Sequence, residues 1–279
     1  MNPCSRLLRC PFSILLVFAF SFVVLARAQE PVPTPTAMPP AEHPALFLVG
    51  DSTMKTGTGT GERGPWGWGA EIGAFFDPAK IHVYNEGRGG RSSRSYIEEG
   101  AWEKVRVQLQ PGDFVIVQFG HNDEANSTNY PDRATINSNG EEAVQIGVGD
   151  KHRVIHTYGW YLRQYAKDAQ AKGAKLIICS PVPRNQWAGG KIKRGFDGYV
   201  QWAAGAARIA GAPFIDLNAI VCDRYDALGQ AAAQSHFNDV QHTTKPGARL
   251  NAESVVAGIK QLADCPLAQS LAPSARQAP

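Results

Sequence analysis

Cysteine is scarce in this chain, with five in 279 residues. No two of them stand as Cys-x-x-Cys, and no His and Cys cluster at ligand spacing, so the residues give no ground for a metal site. Charge of one sign is also lacking. The formal net charge is +3, and residues 1–28 alone carry three Arg and no acid. Long apolar runs are limited to one, from Ser13 to Leu25. Arg6 and Arg9 precede it and Ala26-Arg27-Ala28 follows it, the pattern of a secretory signal peptide cut before Gln29. The run is short for a membrane span. A secreted or periplasmic chain without a membrane anchor is therefore expected. Once residues 1–28 are removed the net charge is zero, which gives no support to a nucleic acid partner. An anionic substrate would have to be met by a local Arg or Lys cluster.

Cleavage would also remove Cys4 and Cys10, leaving Cys179, Cys222 and Cys265. Cys179 ends the apolar run that begins at Lys175 and is expected as a buried thiol. Cys222 and Cys265 are a candidate disulfide that would tie the last helix to the body.

No internal repeat is visible. Residues 29–43 are rich in Pro and Thr and read as a flexible linker, and residues 267–279 as a flexible tail. Between them, residues 44–266 read as one domain. Its short apolar runs, Ala45–Val49, Ile81–Asn85, Phe114–Phe119, Lys175–Ser180 and Pro213–Asp216, suit strands buried on both faces. Helical periodicity runs from His156 to Lys172, with Gly173 as the stop, from Tyr199 to Ile209, and from Lys245-Pro246 to Leu262. This alternation predicts an α/β fold with a five-stranded parallel sheet between two helical layers. Residues 124–151 break the pattern, being polar and rich in Asn and Gly, and are expected as a long loop walling a cleft.

In open α/β sheets, ligands bind outside the carboxyl ends of the strands. Gly50-Asp51-Ser52 follows the first strand, Gly87-Arg88-Gly89-Gly90-Arg91-Ser92 the second and Gly120-His121-Asn122-Asp123 the third. Asp239-Val240-Gln241-His242 precedes the last helix. Together these supply a nucleophile, Ser52, and a base, His242. Asp239 can orient the imidazole, and the N–H groups of Ser52 and Gly90, with the Asn122 amide, are candidate oxyanion donors. Asp51 is expected to shape its own turn. Each block alone is also a common turn or cap; their joint order at strand ends and a helix start favours chemistry. No G-x-S-x-G elbow surrounds Ser52, which argues against the α/β-hydrolase layout.

These four blocks resemble those of the SGNH (GDSL) hydrolase superfamily. More narrowly, Gly50-Asp51-Ser52-Thr53-Met54, Gly90-Arg91-Ser92-Ser93-Arg94-Ser95, His156 to Arg163 and Cys179-Ser180-Pro181-Val182-Pro183-Arg184 are similar to motifs of rhamnogalacturonan acetylesterases of carbohydrate esterase family 12. The resemblance implies a flavodoxin-like three-layer fold and a Ser-His-Asp esterase needing no metal or cofactor. It also implies an acetylated polysaccharide or oligosaccharide as substrate. A monomer is expected. Arg88, Arg91 and Arg94 are candidates for meeting a uronate carboxylate, with a turn-holding role the alternative. Trp66, Trp68, Trp102 and Trp187 are candidates for stacking on sugar, with core packing the alternative. Two rival readings stand beside this one. One is an esterase of the same superfamily acting on acetyl xylan, a short acyl ester or a lysophospholipid; the other is a catalytically idle carbohydrate-binding protein.

Overall fold

The computed structural model describes residues 43–55, 64–124, 132–148 and 151–277. The expected signal peptide and nearly all of the linker lie outside them.

Strands β1 (Ala45–Gly50), β2 (His82–Asn85) and β3 (Phe114–Gln118) are followed by a hairpin, β4 (Ala143–Val148) with β5 (Lys151–His156). Next come β6 (Lys175–Cys179), a two-residue pair, β7 (Trp187–Ala188) with β8 (Lys191–Ile192), and β9 (Phe214–Ile215). The helices are α1 (Ser93–Glu98), α2 (Ala101–Arg106), α3 (Tyr158–Ala171), α4 (Tyr199–Ala210), α5 (Leu217–Leu228), α6 (Gln230–Ala233), α7 (Lys245–Gln261) and α8 (Pro273–Gln277).

The main sheet has the order β2-β1-β3-β6-β9 with every pairing parallel. Side chains alternate across it, as strand geometry requires. Leu46 and Leu48 join Ile116 and Ile177 in one apolar layer with α5, α7 and Trp68, whereas Phe47 and Val49 face the other, with α2, α3 and α4. The result is the three-layer α/β/α arrangement that the alternating runs predict. Strand β2 departs from the expectation of a strand buried on both faces. It is a sheet edge, paired only to β1, and His82, Tyr84 and Asn85 are exposed.

The helix boundaries have local causes. In α3, the Thr157 hydroxyl accepts from the Trp160 N–H at 3.0 Å, and Gly173 at φ 73° turns the chain out beyond the last residue. Pro246 stands in the first turn of α7, where its missing N–H has no helical partner to lose.

Three expectations are corrected. Residues 124–151 are not a plain loop, because Ala143–Val148 pairs antiparallel with Lys151–His156 from Ala143 opposite His156 to Val148 opposite Lys151. Residues 267–279 are not a loose tail as far as Gln277. Pro266–Ser270 forms a 3-10 turn and α8 follows, and Leu267, Leu271 and Ala275 are buried in the layer containing α7. Main-chain bonds from Asp77 to Ser270 (2.9 Å) and from Ala272 to Phe75 (2.8 Å) stitch this segment to the body.

The third correction concerns the proposed disulfide. Cys222 and Cys265 are both buried, and both are free thiols, as is Cys179. The Cys222 Sγ is turned to the Asn218 Oδ1 at 3.7 Å and the Lys193 carbonyl at 4.0 Å. Burial pushes the Cys222 thiol up to about 12 and the Cys179 thiol higher still, so both are held protonated.

Candidate active site

Ser52 is delivered by β1. A Cβ on Gly50 would lie 2.6 Å from the Gln118 carbonyl, so only glycine lets β1 and β3 run this close at their ends. The chain then turns sharply. Asp51 Oδ1 accepts from the Thr53 N–H at 2.8 Å and the Thr53 hydroxyl at 2.7 Å, and the Asp51 carbonyl accepts from Lys55 N–H at 3.0 Å. Asp51 is fully buried and shapes the turn, as expected, leaving Ser52 half-buried beside it.

The residues predicted to act together do meet. Ser52 Oγ lies 2.9 Å from His242 Nε2, and His242 Nδ1 lies 2.8 Å from Asp239 Oδ2. Asp239 Oδ1 also accepts from the N–H groups of Gln241 and His242, both at 2.7 Å. Partial burial works to raise the Asp239 pKa. The His242 and Gln241 N–H groups and the His242 ring outweigh it and hold the carboxyl below its ordinary value.

The turn carrying Asp239 and His242 is fixed from both sides. Phe237 bridges Thr243, and the Asn238 N–H donates to the His242 carbonyl at 2.8 Å. Thr243 is in turn clamped to Trp66, whose N–H donates to the Thr243 carbonyl at 2.9 Å and whose carbonyl accepts from the Thr243 hydroxyl at 2.7 Å. Trp66 is thereby bound to the residue that follows the histidine, and Lys245 Nζ lies 4.9 Å from the centre of the Trp66 ring.

The two Gly-containing turns close the other side. The Arg88 N–H donates to the Gly50 carbonyl at 2.8 Å, and a Cβ on Gly89 would lie 3.8 Å from the Ser52 Cβ. Gly90 sits at φ 75°, a left-handed conformation that other residues adopt at a cost. One amide N–H of Asn122 donates to the Arg91 carbonyl at 3.1 Å, leaving the second for another acceptor. Asp123, fully buried, accepts from the Ser93 N–H and hydroxyl and so binds this turn to α1. Burial, opposed by those hydrogen bonds, raises Asp123 to about 7.

The candidate substrate residues divide. Arg94 is fully buried and pairs with Glu98 at 3.6 Å, so its guanidinium is closed off from solvent. Arg91 pairs with Glu99 at 2.9 Å and donates to the Gly89 carbonyl at 3.0 Å, which favours the turn-holding alternative. Arg88 is half-buried, 6.0 Å from the Tyr96 ring. Trp68 and Trp102 are core residues whose indole N–H groups donate to Gln118 and Asp168, both at 2.8 Å. Trp187 is half-buried on β7, and its indole donates to Asn185, whose own N–H donates to the Val240 carbonyl within the Asp239–His242 turn.

One residue escaped the sequence reading. Arg133 Nη1 donates to the Gly90 carbonyl at 3.1 Å and to Asn122 Oδ1 at 3.4 Å. It lies in the stretch assigned to loop, and no motif marks it.

A family model for GDSL-like lipases and acylhydrolases matches residues 48–250. The rhamnogalacturonan acetylesterase of Emericella nidulans is 30% identical over 80% of this chain and 87% of its own. YesY of Bacillus subtilis, named as a probable rhamnogalacturonan acetylesterase, is 32% identical over 81% of this chain and 96% of its own. Among solved structures, the Bacillus subtilis protein YxiM superposes with a TM-score of 0.66 at 21% identity; the match takes in 80% of this chain but only 57% of that one, so the likeness is one of fold. A serine in the turn just beyond the first strand, which meets its histidine from far along the sequence, thus stands in a chain that belongs to the GDSL-like lipase/acylhydrolase family.

Proposed function

We propose that this esterase removes O-acetyl groups from an acetylated polysaccharide, rhamnogalacturonan first among the candidates, outside the cytoplasm. The observation that carries the chemical part is the unbroken line from Ser52 Oγ through His242 to Asp239, at 2.9 and 2.8 Å. Two relatives of about a third identity, both bearing the rhamnogalacturonan acetylesterase name, support the substrate. The signal-peptide pattern of residues 1–28 supports export.

In this mechanism Ser52 Oγ attacks the acetyl carbonyl carbon as its proton passes to His242 Nε2. The oxyanion is held by the N–H groups of Ser52 and Gly90 and by the free Asn122 amide hydrogen. His242 then protonates the departing sugar oxygen, leaving an acetyl group on Ser52. Water, deprotonated by the same imidazole, attacks that ester and releases acetate, which restores the Ser52 hydroxyl. Asp239 keeps the ring in the tautomer that leaves Nε2 free to accept and stabilises the imidazolium. Trp66, tied to Thr243, and Trp187, linked through Asn185 to Val240, are the half-buried indoles connected to the Asp239–His242 turn and are the aromatic contacts proposed for a sugar.

The test is acetate release from acetylated rhamnogalacturonan, homogalacturonan and xylan measured side by side. The greatest kcat/KM is expected on rhamnogalacturonan. A preference for xylan would overturn the substrate, and no release from any of them would favour a binding protein.

A further inference from the structure

We propose that Arg133 is a positioning residue for the oxyanion-binding groups, a guanidinium strap that fixes the Gly90 turn and the Asn122 amide relative to each other. The inference rests on the reading that Gly90 and Asn122 receive the oxyanion. Those two residues belong to turns that follow different strands, β2 and β3, and a donor pair is useful only if its spacing is constant to a few tenths of an ångström. Arg133 Nη1 reaches both, 3.1 Å to the Gly90 carbonyl and 3.4 Å to Asn122 Oδ1.

The consequence is sharpest for Asn122. A side-chain amide can present either its oxygen or its nitrogen to a given spot. Here Oδ1 accepts from the guanidinium, and Nδ2 donates to the Arg91 carbonyl at 3.1 Å. Flipping the amide would set an NH2 group against a cation and an oxygen against a carbonyl, two repulsive contacts in place of two attractive ones. Arg133 thereby selects the orientation that leaves an N–H, not an oxygen, to be offered. At Gly90 it holds the carbonyl of a residue at φ 75°, and a Cβ there would come within 3.4 Å of Nη1.

The strap is itself anchored. Ala134 and Thr135 are buried, and the Thr135 N–H and hydroxyl both donate to the Asp123 carbonyl, at 3.1 and 3.2 Å. Asp123 lies next to Asn122, so the backbone that carries Arg133 is tied to the backbone that carries its target. Arginine suits the role because its planar fork donates from several N–H groups and keeps its charge at every working pH.

The experiment compares Arg133→Ala with the parent enzyme on p-nitrophenyl acetate, an uncharged ester too small to reach distant subsites. Removal of one oxyanion donor lowers turnover about 10²–10³-fold. Loosening the donors should lower kcat by about 10- to 100-fold with KM changed by less than about twofold, since the interaction is made in the transition state. Millimolar guanidinium ion should restore part of the lost kcat, which a purely structural defect would not allow. Combined with Asn122→Ala, the loss should be smaller than the product of the two separate losses. Unchanged kcat, a change in KM alone, absence of rescue or fully multiplicative losses would each overturn the proposal. If Arg133→Ala does not fold, Arg133→Lys carries the same test: it keeps the charge without the fork, a reduced kcat is expected, and parental kcat overturns the assignment. Ser52→Ala separates the two levels. Its inactivity beside a fully active Arg133→Ala would refute the strap alone, whereas an active Ser52→Ala would refute the nucleophile.

Discussion

Ser52, His242 and Asp239 are joined by two hydrogen bonds and come from two turns, one after β1 and one before α7. Ser52→Ala should abolish acetate release while leaving the thermal midpoint nearly unchanged, since it removes one half-buried oxygen and no core contact. Substantial residual hydrolysis would dismiss Ser52 as nucleophile. Asp239→Asn keeps the shape but offers an amide where the His242 ring needs a carboxylate. A fall in kcat of about 10⁴-fold is expected, by the tautomer argument, and a fall of less than tenfold would contradict it. The depressed Asp239 pKa means that its favourable contribution is complete above the ordinary carboxylate value and is lost only as pH falls through the lower folded value. Asp123 behaves in the opposite sense. Its folded pKa, raised to about 7, leaves the native state holding a proton that the unfolded chain has released. Stability should therefore decline between about pH 4 and 7 by up to one proton's worth of slope. Denaturant unfolding at several pH values should show that slope in the parent and its loss in Asp123→Asn; equal slopes would refute the assignment.

Among the elements, those buried on both sides were legible. Strands β1, β3 and β6 are short continuous apolar runs because each has a helical layer above and below. The β4–β5 hairpin was illegible for the converse reason: Val144 and Val154 are half exposed, and no buried face imposes alternation. The segment after Cys265 misled by composition. Its Pro, Ala and Ser suggested a tail, yet Leu267, Leu271 and Ala275 recur every four residues and are the side chains that enter the core. Leu271→Ala should therefore cost about 2–5 kcal/mol in denaturant unfolding, whereas a loose tail would lose nothing. Arg133 was invisible for a third reason. Two of its partners are a main-chain carbonyl 43 positions before it and an amide 11 positions before it, and such contacts leave no spacing to read. The meeting of Ser52, His242 and Asp239 was legible because the proposed chemistry constrains residue type and the sheet edge constrains place.

Across the whole molecule, the two apolar layers hold together without a covalent cross-link among the described residues. Cys222 and Cys265 lie in the same layer as free thiols. A chain starting at Gln29 should titrate three thiols in denaturant, and its thermal midpoint should be indifferent to dithiothreitol. One titratable thiol and a reductant-sensitive midpoint would restore the Cys222–Cys265 bridge.

The clamp between Trp66 and Thr243 has a temporal meaning. During synthesis, every strand of the main sheet has been made once Ile215 emerges, and Ser52 was among the first residues of the domain. Its hydrogen-bond partner and proposed base, His242, arrives late, and the Thr243–Trp66 bonds that set that turn in register form only when both ends of the domain are present. On the proposed mechanism the nucleophile is built early and armed late, and a nascent or truncated chain ending before that turn is expected to carry an inert serine.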